Sequence, residues 1–265
     1  MSLESIRFDR AADFYDETRG FPPGEEQRVA ALIAVAGRLT PSSRVLEVGV
    51  GTGRIALPLA GYVREIVGID LARPMLERLR AKRAGEPVHI VEGDATRLPL
   101  ASGVFDAIVA VHVFHLIPNW PDALREAARI LRPGGRLLSG WNEGDRGMGE
   151  SALWNAWDAA VGAVLPQNVG VPRERYRTFL EDEGWQPVGE ALIHRYTTIH
   201  TPQDFIDQIE RRVWSSFWRL SDEALARGLA AVRAVMAELN MDPRQPLEHV
   251  SRFNVQAYLP PGRAS

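Results

Sequence analysis

The stretch VLEVGVGTGRIALPLA, Val45 to Ala60, begins as an apolar β-type run, passes through Gly49, Gly51 and Gly53, and resumes with helical character. A glycine turn between strand and helix offers backbone N–H groups and the positive end of a helix dipole, which suits an anion. Glu47, two residues before Gly49, places a carboxylate beside that turn. A pyrophosphate there would meet like charge in a partly desolvated site, which is unfavourable. The spacing alone leaves two readings open: Gly51, Gly53 and Ala56 fit the dinucleotide pattern G-x-G-x-x-A, while Glu47, Gly49, Gly51 and Gly53 fit E-x-G-x-G-x-G.

Outward from this stretch, short β-rich runs recur as RVLEV, EIVGID, PVHIVEG, FDAIVAV and GRLLSGW. The segments between them suit helices, such as Arg73 to Arg83 and Pro121 to Leu131. Strands alternating with helices imply an α/β fold with a parallel sheet covered on both faces. Before the first strand, Val29, Leu32, Ile33 and Ala36 recur at helical spacing, and Gly37 suits a helix stop. Pro58 falls inside the helix after the glycine turn and removes a backbone donor, so that helix is expected to be short or kinked.

Three successive predicted strands end with a carboxylate nearby: Glu47, Asp70 in VGIDLARPML and Asp94 in EGDATRLPL. In an open parallel sheet the carboxyl ends of neighbouring strands line one crevice, the usual ligand site. A carboxylate at the second strand end suits the two hydroxyls of a ribose, and one near the third suits an amino group such as that of adenine. Glu47 then stands near a positively charged part of the ligand. A sulfonium amino acid joined to adenosine has no phosphate and carries positive charge.

These motifs together resemble the class I S-adenosylmethionine-dependent methyltransferases, in particular the small-molecule branch that includes quinone-biosynthesis enzymes. The resemblance runs from Phe8 to about Leu138 and is carried by FYDETR, VLEVGVGTGRIALPLA, VGIDLARPML, EGDATRLPLASGVFDAIVAVHVFHLI and ILRPGGRLL. It implies S-adenosyl-L-methionine as cofactor, S-adenosyl-L-homocysteine as product, and a Rossmann-like, doubly wound sheet of about seven mostly parallel strands with an antiparallel last strand. It also implies that Glu47, Gly49, Gly51 and Gly53 hold the methionine end, Asp70 the ribose, and Asp94 with Ala95 the adenine. Thr52 and Gly93 belong to the same cofactor set, Leu71 and Met75 flank the adenosine, and Ala110 and Val111 line the sulfonium side. Tyr15 and Arg19 stand four apart, so they share a helix face. In similar enzymes an N-terminal helix closes over the cofactor, and Arg19 is then placed to pair with its carboxylate; the alternative is a helix-surface pair with no such role.

The expected organisation is an N-terminal helical lid over 1–23, a cofactor-binding core over 24–142, a helical cap insertion over 143–171, a core helix and strand over 172–200, a second cap insertion over 201–246, and a last core strand and tail over 247–265. The helix and strand of the fourth part are Arg173 to Glu183 and EALIHRYTTIH. His112 and His115 follow the fourth strand. His115 is the candidate general base, with a pKa suited to that task, and His112, Trp141 and Trp218 are substrate-pocket candidates; packing in a loop or in the cap's own core is the competing account for each. Trp154 and Trp157, and Trp214 with Trp218, form aromatic stripes of a kind more often used in helix packing. Arg173, Arg175 and Arg177, like Arg211 and Arg212, read as solvated faces.

The near-balanced net charge of −3 gives no basis for broad attraction to nucleic acid or an anionic membrane. The absence of cysteine excludes thiolate catalysis, disulfides and thiolate metal sites. No metal ligand set is expected. No apolar run approaches the roughly 18 residues of a membrane span, so a cytoplasmic protein acting on a small, apolar or aromatic acceptor is expected, without nucleic-acid partners or membrane insertion. The rival readings are a non-catalytic S-adenosylmethionine-binding regulator and an NAD-dependent oxidoreductase.

Overall fold

The structure is a computed structural model that describes residues 8–145, 147–162, 175 and 178–262. Arg173, Arg177 and the end of the first expected insertion lie outside the described residues. Among the described residues eight strands form one sheet: β1 (Arg44–Val48), β2 (Glu65–Asp70), β3 (Val88–Glu92), β4 (Phe105–Val111), β5 (Leu131–Asp145), β6 (Gln186–Pro187), β7 (Leu192–His200) and β8 (Leu247–Leu259). Their order is β3-β2-β1-β4-β5-β8-β6, and β7 pairs with β8 off that path. The β1–β2, β2–β3, β1–β4 and β4–β5 pairs are parallel, and β6 meets β8 antiparallel. The chain winds one way from β1 through β2 to β3, then returns to place β4 on the other side of β1. That reversal is the topological switch point where such sheets bind ligands.

EALIHRYTTIH supplies β7, which pairs with β8 off the main path, while the two-residue β6, Gln186–Pro187, ends that path beyond β8. Residues 193, 195, 197 and 199 of β7 are exposed while residues 192, 194, 196 and 198 are half-buried, the alternation of a strand with one wet face rather than of a doubly covered core strand.

The chain divides into two compact units: Met1–Asn142 with Asn168–His194 and Phe253–Ser265, and Glu143–Gln167 with Arg195–Arg252. In the first, Leu46, Val48, Val67, Ile69, Ile108 and Ala110 of the central strands meet Leu124, Ala127 and Ile130 of helix α5 (Trp120–Ile130). The preceding helices are α1 (Tyr15–Arg19), α2 (Glu25–Gly37), α3 (Ala56–Leu59) and α4 (Arg73–Lys82). Helix α3 has four residues and passes into a 3-10 turn at Ala60–Tyr62, the interruption expected from Pro58. Helix α2 ends at Gly37 as expected, although Arg38, at φ 49°, takes the left-handed cap. Gly37 is needed for space, because a Cβ there would lie 2.8 Å from both Leu138 Cδ1 and Leu39 Cγ.

The second unit contains helices α6 (Met148–Val161), α8 (Pro202–Glu210) and α9 (Asp222–Glu238), while the short α7 (Phe179–Asp182) belongs to the first. Thr201 and Asp204 form a reciprocal capping box at α8, and the Ser221 hydroxyl accepts from Ala224 N–H at α9. Trp157, fully buried, packs with Leu153, Val161, Ile209, Phe217 and Val232. Gly228 makes room for it, since a Cβ there would sit 2.3 Å from the Trp157 ring. Arg212 is not a solvated side chain: at 12% exposure it donates to the carbonyls of Phe217 and Leu220 and pairs with Asp222.

Candidate active site

Glu47 is the penultimate residue of β1, in register with Gly68 of β2 and Val109 of β4. It is only 3% exposed. It accepts a hydrogen bond from Ala56 N–H, but its Oε2 is buried with no hydrogen-bond partner among the described residues. Burial pushes this carboxyl well above the usual carboxylate range; Arg54 opposes the shift and Asp70 adds to it.

Past β1 the backbone turns sharply, with Gly49, Gly51 and Gly53 at φ 71°, 52° and 82°. The turn is stitched to β2 by Gly49 N–H and Val50 N–H, both donating to Ile69 C=O. A side chain at Gly53 would be strained by its φ and would collide with Leu79 Cδ1 at 2.4 Å. Asp70, the last residue of β2, closes the turn from the other side: its Oδ2 accepts Gly51 N–H at 2.9 Å and its Oδ1 accepts Ala72 N–H at 2.8 Å. Burial raises its pKa, and those backbone donors work against the rise. A carboxylate has about four acceptor sites, so beyond the backbone donors Gly51, Ala72 and Leu71 it keeps acceptor capacity for a ligand. With only four residues, α3 contributes little macrodipole behind the turn.

Gly93 N–H donates to Asp70 C=O, which joins the loop after β3 to the end of β2. Asp94 uses Oδ1 to accept both Thr96 N–H and the Thr96 hydroxyl. The loop is fixed further by α5, where Glu126 accepts Leu98 N–H and Arg129 donates to the Leu98 and Leu100 carbonyls. Ala95 and Ala110 have their methyl groups in the buried core, so only backbone atoms of these two are suited to a ligand. Leu71 and Val111 are half-buried. Met75 is 2% exposed and packs with Ala12 and Ala72 beneath Phe8 and Tyr15.

The N-terminal segment is tied onto this turn through Asp16, Arg54 and Lys82, which sequence reasoning missed. The Thr52 hydroxyl donates to Asp16 Oδ1 at 2.5 Å, and Lys82, the chain's only lysine, donates to Asp16 Oδ2 at 2.9 Å. Arg54 donates to Arg19 C=O at 2.8 Å and lies 4.7 Å over the Phe21 ring. Arg19 is half-buried on α1 with Tyr15. Burial lowers its pKa, Tyr15 raises it and Arg54 lowers it further.

On the far side of the switch point, His112 adopts a left-handed backbone at φ 51°, an unusual conformation for a residue other than glycine. Its ring Nε2 meets Asn142 N at 2.9 Å and Asn142 Oδ1 at 3.0 Å. Burial, then the charge of Arg54, lowers its pKa to about 3. His115 sits in the 3-10 turn Phe114–Leu116. Burial and the charge of Arg19 lower its pKa to about 4, so it lacks the near-neutral pKa expected of it. Trp141 is half-buried and its carbonyl accepts from Asn254. Trp218 belongs to the second unit, where its indole N–H donates to Arg212 C=O at 2.8 Å.

Residues 46–139 match the methyltransferase domain family. An uncharacterized methyltransferase of Mycobacterium tuberculosis is 30% identical over 212 residues, 78% of this chain and 77% of that protein. The chain belongs to the methyltransferase domain family. This methyltransferase is also similar to the demethylmenaquinone methyltransferase of Mycolicibacterium vanbaalenii, 38% identical over 132 residues that make up 49% of this chain and 56% of the relative. Among solved structures, a candidate methyltransferase of Bacillus halodurans shares the fold at a TM-score of 0.58 and 20% identity, over 88% of this chain and 98% of that one. Among the described residues no helix is long and apolar enough to cross a membrane, and no three His, Asp or Glu side chains are grouped to hold a metal ion.

Proposed function

We propose that this methyltransferase uses S-adenosylmethionine to methylate a small acceptor with a largely apolar or aromatic body. The observation that carries the cofactor reading is Glu47, whose buried Oε2 lacks a partner beside a glycine turn with little helix dipole behind it. That arrangement suits a cationic amino-acid moiety and disfavours a pyrophosphate. The residues present fit the group. Glu47, Gly49, Gly51, Thr52 and Gly53 would hold its methionine end, Asp70 would accept from the ribose through its remaining lone pairs, and Gly93, Asp94 and Ala95 would serve the adenine. Leu71 and Met75 would flank the adenosine, Ala110 and Val111 would border the reacting end, and Tyr15 and Arg19 would close over it, with Arg19 facing a carboxylate.

The bound cofactor supplies a methyl group already activated on a positively charged sulfur. What remains for the chain is to hold the acceptor in line and exclude water, and orientation of this kind contributes roughly 7–11 kcal/mol. His115, neutral and half-buried, is assigned to accept a hydrogen bond from the acceptor rather than to act as a strong base, because a ring with a pKa of about 4 has little hold on a proton at neutral pH. His112 and Trp141 border the acceptor. The apolar class is supported by the likeness to a demethylmenaquinone methyltransferase over about half of this chain.

Calorimetry with S-adenosylmethionine, S-adenosylhomocysteine, NAD and NADP tests the cofactor. The two sulfur compounds should bind and the two dinucleotides should not; tight NAD binding with no response to the sulfur compounds would falsify the reading. Transfer of isotope-labelled methyl to compounds of a metabolite extract then identifies the acceptor.

A further inference from the structure

His112 is held more firmly than a packing residue requires. Its backbone N–H donates to Gly140 C=O, its φ is 51°, and its Nε2 lies against two atoms of Asn142. A left-handed backbone at such a residue costs free energy and persists only where the surroundings impose it, often at functional sites. The two Asn142 contacts make unequal demands. A backbone N–H has only a proton to offer, so at 2.9 Å it requires Nε2 to be the acceptor. A neutral imidazole whose Nε2 accepts carries its proton on Nδ1. The Asn142 amide then turns its NH₂ group, not its oxygen, toward the ring, because oxygen and nitrogen of an amide differ only in the hydrogens they carry.

Nδ1 has no protein partner among the described residues, and it is not among the buried polar atoms left without one, so it stays within reach of a ligand. The charged and titratable groups that act on His112 are Arg54 from the glycine turn, Arg19 from α1 and His115 from the following 3-10 turn. The two arginines are cationic, and together with burial they keep the ring neutral through the physiological range.

We propose that Asn142 fixes His112 as a permanent hydrogen-bond donor, whose Nδ1–H binds an oxygen of the methyl acceptor, so that the acceptor bears a carbonyl, carboxylate or phenolate oxygen. His112 is then a specificity-determining residue and not a base, and Asn142 is its positioning residue. The assignment rests on the cofactor and acceptor reading above, whereas the tautomer that underlies it does not.

The tautomer is read on the unaltered chain by long-range proton–nitrogen correlation of ¹⁵N-labelled protein, with the His112 signal identified by its loss in His112→Phe. The expected spectrum shows a protonated Nδ1 and an unprotonated Nε2 that do not change between about pH 6 and pH 8; a protonated Nε2, or a titration in that range, overturns the proposal. If His112→Phe fails to fold, sequential backbone assignment identifies the same signal. Oxygen recognition is read by calorimetry on protein loaded with S-adenosylhomocysteine, using acetophenone and ethylbenzene, which differ chiefly in a carbonyl oxygen. The ketone should bind roughly three- to tenfold more tightly, as one neutral hydrogen bond allows, and His112→Phe should erase the difference. Equal affinity for the two, no affinity for either, or a preference that survives His112→Phe overturns the oxygen contact. Failure of S-adenosylhomocysteine itself to bind would instead count against the cofactor reading, and the tautomer result would stand.

Discussion

Thr52, fully buried in the glycine turn, donates its hydroxyl to Asp16 of α1 at 2.5 Å across 36 residues of sequence. The other Asp16 oxygen takes Lys82 from the end of α4. One carboxylate therefore fastens the N-terminal segment to the two elements on either side of the site. A hydrogen bond to a charged group contributes about 1.5–3 kcal/mol, and the 44% exposure of the Asp16 side chain puts this one at the low end.

Thr52→Val removes the donor while keeping the branched shape. Amide exchange across residues 8–20 should become faster, with melting lowered by only a few degrees. Asp16→Asn should act in the same direction. Unchanged exchange in both variants would mean that α1 is held instead by Arg54 on the Arg19 carbonyl and by the packing of Tyr15 over Met75. In the unaltered chain, exchange across the same residues should slow when S-adenosylmethionine is added.

Asp70→Asn should affect both fold and ligand. Both carboxylate oxygens accept backbone N–H groups, from Gly51 and Ala72, whereas an asparagine would set its NH₂ against one of those donors. The glycine turn should loosen, and the lost charged hydrogen bond should weaken cofactor binding by roughly ten- to hundredfold. A folded variant with an unaltered calorimetric dissociation constant would remove Asp70 from the site.

The carboxylates at the strand ends were legible in the sequence because strand, turn and helix follow one another locally, and Glu47, Asp70 and the Gly93–Asp94 loop fall where that pattern puts them. Asp16, Arg54 and Asn142 were not. Each acts through a partner 30 to 36 residues away, and such pairs leave no local periodicity to read. Gly37 shows a related limit: its residue type marked the helix end, while the room Leu138 needs beside it is a contact only the folded chain defines. The sixth strand was missed because two residues, Gln186–Pro187, carry no pattern, whereas β7 carries a clear one.

Glu47 makes both stability and binding depend on pH. Its folded pKa lies well above the ordinary 4.5, so the fold favours the neutral carboxyl. That advantage is complete below the unfolded value and is lost as pH climbs toward the folded one. Without added ligand, Glu47→Gln should therefore melt higher than the unaltered chain by a margin that grows as pH rises above the ordinary 4.5. A cationic ligand reverses the preference, since it favours the ionised carboxylate. S-adenosylmethionine binding should accordingly release protons, detected as a dependence of the calorimetric heat on buffer ionisation enthalpy, and Glu47→Gln should abolish the release. Binding that releases no protons would show that Glu47 does not change its charge with the ligand.

His115→Gln separates a base from a hydrogen-bond acceptor. A general base contributes about 10²–10⁴ in rate, but His115 is already neutral at every pH well above 4. Glutamine keeps an acceptor oxygen, so the methyl-transfer rate should fall by less than about tenfold, and its pH profile between about pH 6 and pH 8 should keep its shape. A loss beyond about a hundredfold, or a new inflection in that range, would restore the base assignment.

The tryptophans of the second unit divide by burial. Trp157 is fully enclosed by Leu153, Val161 and Phe217, with Gly228 leaving space for its ring. Its truncation to alanine should cost about 3–5 kcal/mol. Trp218 is half-buried and its indole N–H is bonded to Arg212 C=O; that carbonyl belongs to a left-handed residue whose guanidinium also holds the Phe217 and Leu220 carbonyls. Removing Trp218 therefore frees a carbonyl in a turn already fixed by Arg212, and Trp218→Ala should lower the melting temperature, though less than Trp157→Ala, without altering the acceptor's Michaelis constant. Trp141→Ala is the contrasting case, with little effect on melting and a raised Michaelis constant. If Trp141→Ala and Trp218→Ala both destabilise the fold and leave acceptor kinetics unchanged, neither ring belongs to the acceptor site, and the aromatic-pocket reading falls.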